Sequence, residues 1–208
     1  MGQWPSPLQI EAACLSAWPA IGIAHDGAWL WRYAKGYSKR SNCFQSLDPT
    51  DETDSARRIA RLAALSVRHG IGPVFRVTPL AGPAVVTALD EAGWAPFEES
   101  RVLAMALADL KPGTAGDVRR FASTDPRWYR AQAALSQYSA ETVETLKTLL
   151  GLIASEAKGF VSYTTQGAPA AAALAVVSGE IGVYLNVVAD RARRRQGQQT
   201  RWPRRPGH

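Results

Sequence analysis

Three apolar runs separated by two-residue turn signals set the strongest limit on how this chain can fold. They are Gly159–Thr165, Pro169–Val177 and Glu180–Val188, with Gln166-Gly167 and Ser178-Gly179 between them. Turns that short join only antiparallel neighbours, so the three runs are predicted to pair as a meander. A meander must cover an apolar face, and the preceding stretches Arg127–Tyr138 and Ala140–Ala157 read as the two helices that do so. In the second of these, Val143, Leu146, Leu149, Leu150 and Ile153 recur at helical spacing, while Glu141, Glu144 and Lys147 fall on the wet side.

The first half alternates differently. Leu8, Ala12, Leu15 and Trp18 mark a helix over Leu8–Trp18 that Pro19 stops. Ala28–Ala34 is short and aromatic, as strands are, and a Gly-bounded polar loop, 36–42, follows it. Asp54 or Ser55 can cap a helix that reaches His69, with the acidic run 51–54 at its start, Arg68-His69 in its last turn and Gly70 just beyond. Val74–Val77 reads as a strand, Pro83–Ala92 as a short helix closed by Gly93, and Pro96–Leu107 as a longer strand. Strands joined through helices imply parallel pairing for at least one pair. The break at 111–116 then divides the chain, and the expected class is α/β (an α+β layered variant) with a mixed sheet flanked by helices in two lobes.

Charge narrows the function classes. The formal net charge is +6, but residues 191–208 hold seven arginines and no acid, whereas residues 1–190 hold 17 basic against 18 acidic residues. The basic excess therefore describes a tail rather than a binding face. An Arg-rich tail can hold a phosphate backbone without specificity, but the near-neutral body and lack of a recognition motif count against a nucleic-acid partner. Cys14 and Cys43 have no His or Cys at ligand spacing, so no metal site is expected and both read as free thiols. The apolar stretch Ala168–Val177 is about half of what a bilayer crossing needs, and 1–5 lack a secretory pattern. No membrane partner and a cytoplasmic location are the expectation. His25, His69 and His208 suggest no triad.

The two helices, the meander and its exit, 181–197, resemble the N-terminal order of a GNAT-superfamily acetyl-CoA-dependent N-acetyltransferase. In that family a strand ending in two valines, here Val187-Val188, leads into an Arg/Gln-x-x-Gly-x-Gly/Ala loop whose backbone amides open a helix and hold the pyrophosphate of acetyl-CoA. Arg194-Arg195-Gln196-Gly197 is similar to the first four positions, and Arg193 is the alternative first position. Gln199 stands where the family has a small residue. The segments 11–20 and 27–42 resemble the opening of a bacterial subgroup in which a degenerate GNAT-like lobe precedes the catalytic one.

The resemblance implies a degenerate N-terminal lobe (1–110), the N-terminal part of an acetyltransferase domain (117–197) and a basic non-core tail (198–208). It implies acetyl-CoA as co-substrate, with Asn186, Val187, Val188, Arg193, Arg194, Arg195 and Gly197 at the cofactor. It makes Glu180 the candidate base and Tyr184 the candidate acceptor contact, the acceptor being a small-molecule or peptide amine. After Gly197 the family continues with an amphipathic helix. Residues 198–208 contain no aliphatic residue and are composed as a high-GC coding sequence reads out of frame, so the second lobe is expected to be incomplete, with a frame change near residue 196. The exposed edge of such a meander is a route to oligomers. The alternative function is that of a non-catalytic GNAT-like binding protein.

Overall fold

The computed structural model describes residues 4–110 and 116–193. Helix α1 spans Pro7–Ala17 and opens on a reciprocal cap: Ser6 Oγ accepts from the Gln9 amide, and Gln9 Oε1 accepts from the Ser6 amide. Pro7 sits at the first helical position, where its missing N–H costs nothing. Strands β1 (Gly22–Asp26), β2 (Trp29–Tyr33) and β3 (Phe44–Ser46) then form an antiparallel three-stranded sheet in sequence order. Helices α2 (Ser55–Arg68) and α3 (Pro83–Glu91) pack on each other. Trp29, Trp31, Phe44, Ile59, Leu62, Phe75, Val85 and Leu89 make the first core.

The second sheet is β4 (Val118–Ala122), β5 (Glu156–Tyr163), β6 (Pro169–Ser178) and β7 (Ile181–Ala189), again antiparallel and in sequence order. Between β4 and β5 run α4 (Pro126–Ser136) and α5 (Ala140–Gly151). Trp128, Leu146, Leu149, Leu150, Val161, Leu174, Val176 and Leu185 form the second core. Ala17, Trp18 and Ala34, from the first half of the chain, belong to this second core, and α1 packs on β6 and β7. The chain is thus an α+β fold with two antiparallel sheets and five helices among the described residues.

The meander and its two helices lie where the periodicity puts them. The first half departs from expectation. Parallel pairing is reduced to one bridge, Phe44 to Phe75, and Val74–Val77 otherwise forms no strand. Pro96–Leu107 is no strand either: Glu98 has φ 52°, Leu107 begins a 3-10 turn, and Leu103 is 89 % exposed. Apolar composition alone does not make a strand, because a strand also needs a partner for its backbone groups. The α5 helix ends at Gly151 rather than Ala157, because 156–158 are taken into the ladder opposite Val177–Ala175. Neither expected cap closes α2 with its side chain: Asp54 has a left-handed backbone (φ 54°) and Ser55 Oγ donates to the Glu52 carbonyl at 2.7 Å. The acids before α2 work elsewhere. Glu52 Oε1 accepts from the Ala84 amide at 2.6 Å, capping α3, and Asp51 forks onto Arg58.

Candidate functional site

The second sheet carries two register shifts, one on β5 at Ser162-Tyr163 and one on the strand that the cofactor resemblance singles out. Along β6 and β7 the register runs Leu174 to Leu185, then resumes at Ala172 to Val188. Two residues of β7, Asn186 and Val187, therefore stand opposite the single residue Ala173, which is a β-bulge. Asn186 adopts φ 49°. Asparagine is among the few side chains that accept this left-handed conformation readily, so its place here has a backbone reason. An extra residue also reverses the in–out alternation beyond it. Tyr184 and Val187, of opposite parity, are consequently both exposed, at 56 % and 48 %, while Leu185 between them is buried.

The bulge is supported from behind. Trp128 is fully buried and donates its indole N–H to the Ala173 carbonyl at 2.9 Å. A Cβ at position 159 would fall inside the Trp128 ring, so Gly159 is what lets α4 press this close to the sheet. Two buried polar atoms in this half have no hydrogen-bond partner among the described residues: Asn186 Nδ2 on β7 and Gln132 Oε1 on α4, a helix that packs on β7.

β7 is the outer strand of its sheet among the described residues, so the edge at the bulge presents backbone groups that no strand pairs. Such an edge suits an extended ligand carrying peptide-like amides, which can pair with it as an added strand would. Past Ala189, Asp190 Oδ1 accepts from the Ala192 amide at 3.0 Å and starts a 3-10 turn, Arg191–Arg193.

Of the residues expected at the cofactor, Asn186 and Val187 form the bulge itself, Val188 is half-buried opposite Ala172, and Arg193 closes the turn. Arg194, Arg195 and Gly197 lie outside the described residues, as does the tail 198–208. Glu180 is exposed in the turn that joins β6 to β7. It stands four residues before Tyr184 and six before Asn186, or roughly 13 and 20 Å along an extended strand. The structure therefore gathers Tyr184, Asn186 and Val187 at one place and leaves Glu180 apart from them.

A cleft of about 180 Å3, which the sequence did not announce, opens between the turn at Lys35-Gly36-Tyr37 and the first turns of α5 at Glu141, Thr142 and Thr145. Lys35 and Gly36 both have positive φ there, 49° and 73°. Tyr37 Oη donates to Tyr138 Oη at 3.1 Å with the rings edge to face, and burial pushes the Tyr37 phenol well above its ordinary value of 10. Among the described residues no group of three or more His, Cys, Asp or Glu side chains could hold a metal ion, and no helix is long and apolar enough to cross a membrane.

Comparison with solved structures finds a functionally unknown conserved protein from Staphylococcus epidermidis ATCC 12228. It superposes with a TM-score of 0.53 at 8 % identity, covering 88 % of this chain and 76 % of that one. At that identity the likeness concerns the fold. No curated protein matches the chain. The family model described as "Probable histone acetyltransferase Rv0428c C-terminal" matches residues 8–203, nearly the whole length, so the chain belongs to that acetyltransferase-like family.

Proposed function

We propose that the protein is a GNAT-type N-acetyltransferase that transfers acetyl from acetyl-CoA to a primary amine, and that β7 at its bulge is where the co-substrate lies. The observation that carries this reading is the bulge at Asn186-Val187 on an unpaired strand edge, leading directly into the arginine-rich exit. A pantetheine arm has two amides in an extended chain. The β7 edge offers amides and carbonyls that such an arm can meet. Residues 193–197 would take the pyrophosphate through backbone N–H groups, as glycine-containing turns do.

The chemistry asked of the chain is proximity and polarisation. A neutral amine attacks the thioester carbonyl, and a site that fixes both partners supplies most of the acceleration. A backbone N–H at the bulge would polarise that carbonyl as charge develops on its oxygen. Tyr184, exposed two residues before Asn186, would contact the acceptor. Glu180 is too distant from the bulge for direct proton transfer there, which requires a heavy-atom approach of about 3 Å. Its charge suits attraction of a cationic amine at the end of the strand. The family's name mentions a histone, a lysine-rich polypeptide, so a lysine side chain is the acceptor we propose. The division into lobes at 1–110 and 117–197 belongs to the same reading.

The test has two arms. Acetyl-CoA is titrated into the full chain by calorimetry, and release of CoA is followed with a lysine-rich peptide. Micromolar binding with peptide-dependent CoA release is the expected outcome. Binding without turnover would favour the non-catalytic reading, which the separation of Glu180 from the bulge supports. Absence of both would sink the proposal.

A further inference from the structure

The first lobe holds a cluster of charges that acetyl transfer does not use. A small cavity is lined by Glu11, Cys14, Arg32, Arg40, Gln45 and Arg76, together with Leu15. These residues come from α1, from β2 and β3, from the loop between those strands and from the stretch after Val74, so the cavity is built by the fold rather than by one segment. Three arginines and one carboxylate line it. That carboxylate, Glu11, is 5 % exposed and already engaged: Arg76 Nη1 donates to its Oε2, and Gln45 Nε2 donates to the same oxygen at 3.2 Å.

Arg32 makes no ion pair among the described residues, and the Glu11 charge that reaches it is set against those of Arg76 and Arg40. Arg32 is 2 % exposed, and among the described residues its guanidinium donates to the carbonyls of Trp18 and, at 2.8 Å, of Arg40. Carbonyl dipoles satisfy its hydrogens but carry no net charge to balance it. Burying a cation on those terms is costly unless a counter-charge is near. The two thiols do not supply one. Burial pushes Cys43 up to about 11, and burial followed by the Glu11 charge raises Cys14, so both stay neutral at physiological pH. The space inside, about 10 Å3, holds one water-sized atom. Its walls at Arg40, which is exposed, and Cys14, which is half-buried, form the open side.

We propose that this cavity is an anion site, taking a halide or a single oxygen of a small oxyanion, which neutralises Arg32 between Arg40 and Arg76. The bound anion would sit beside the residue that holds the Trp18 carbonyl, at the end of α1, and α1 in turn packs on β6 and β7. Anion occupancy thereby stabilises the docking of the first lobe on the sheet that carries the bulge.

The experiment follows the melting temperature of the full chain at constant ionic strength as sodium gluconate is exchanged for sodium bromide, or for inorganic phosphate. A saturable rise of about 3–5 °C at ten times the dissociation constant is expected, from the usual relation between ligand binding and melting for a chain this size. R40Q keeps the backbone carbonyl that Arg32 uses and removes one cation, and should weaken the apparent affinity at least tenfold. R119Q, at an exposed arginine paired to Asp117, is the control and should leave the affinity unchanged. Response to bromide alone identifies a halide site, and response to phosphate alone an oxyanion site. In crystals grown with bromide, an anomalous peak against Arg32 and Arg76 should appear. No rise with either anion, a rise that R40Q leaves unaltered, or, where bromide raises the melting temperature, no bromide peak at that position overturns the proposal.

Discussion

The indole N–H of Trp128 meets the carbonyl of Ala173, 2.9 Å away, at the one residue that two residues of β7 oppose. A ladder interrupted by a bulge needs its local geometry held by something other than strand pairing, and a rigid, fully buried ring on α4 does so. The contact also explains Gly159, whose missing side chain gives the ring its room.

W128F keeps most of the apolar contact and removes the donor, leaving a buried carbonyl without its partner. Such a loss should cost about 1–3 kcal/mol in urea denaturation. G159A forces the ring away from the sheet and should cost about 3 kcal/mol, in the range of overpacked cores. The two effects should be non-additive, since both act through one ring. Additive costs would show that the ring and the strand are independent.

Asp51 forks onto Arg58 at 2.7 and 2.9 Å, and Arg58 in turn stacks 4.3 Å over Trp29. Asp51 Oδ2 also accepts from the Ala28 amide at 2.8 Å, next to Gly27, whose φ of 60° sets the β1–β2 turn. The Arg58 hydrogen bonds, then the Ala28 amide, hold the carboxyl below its ordinary value of 3.8. A carboxyl depressed by folding contributes stability above 3.8 that is lost as pH falls through the lower folded value. D51N should therefore lose about 1–2 kcal/mol at pH 7 and show a flatter acid limb than wild type below pH 4. A parallel acid limb in both proteins would remove Asp51 from that role.

At position 186 the backbone and the side chain can be separated. N186G retains the left-handed conformation, so the bulge and acetyl-CoA binding by calorimetry should persist within threefold. N186V places a β-branched residue at φ 49°, which such residues resist, and should weaken binding more than tenfold. Comparable binding by all three proteins would exclude the bulge as the place where the arm lies.

For Glu180 and Tyr184 the kinetic constants distinguish attraction from proton transfer. E180Q should raise KM for a lysine peptide three- to tenfold with kcat within twofold, and the effect should shrink with added salt. Y184F should alter KM alone, because only the hydroxyl of an exposed contact is lost. A hundredfold fall in kcat for E180Q would instead make it the base.

The meander was legible because two-residue turns and alternating apolar residues act locally and leave little choice of partner. The helices were legible for the same kind of reason: 3.6-residue spacing with proline or glycine at the ends, as at Pro19 and Gly70, although the Ser6-Pro7 start of α1 was not read. Strands β1, β3 and β4 were not. Phe44–Ser46 is three residues long and exists because β2 accepts it, and Val118–Ala122 includes two adjacent exposed arginines. The stretch 96–107 has a strand's composition but lacks a neighbour. Of the site, the sequence marked the strand through Asn186, Val187 and Val188 and its arginine exit. A break in apolar alternation at a polar Asn was the one local sign of the bulge.

By itself, then, the sequence determined which segments are helical, where the antiparallel meander runs and that the basic charge is confined to the end. Tertiary structure alone decided the register that sets Asn186-Val187 against Ala173, the ring beneath it, and the gathering of Arg32, Arg40 and Arg76 with Glu11 at one cavity. The reason is range. Turn and helix signals are energies between residues a few positions apart, whereas register, burial and charge clustering depend on contacts among elements distant in sequence, such as Glu11 with Arg76 and Trp128 with Ala173.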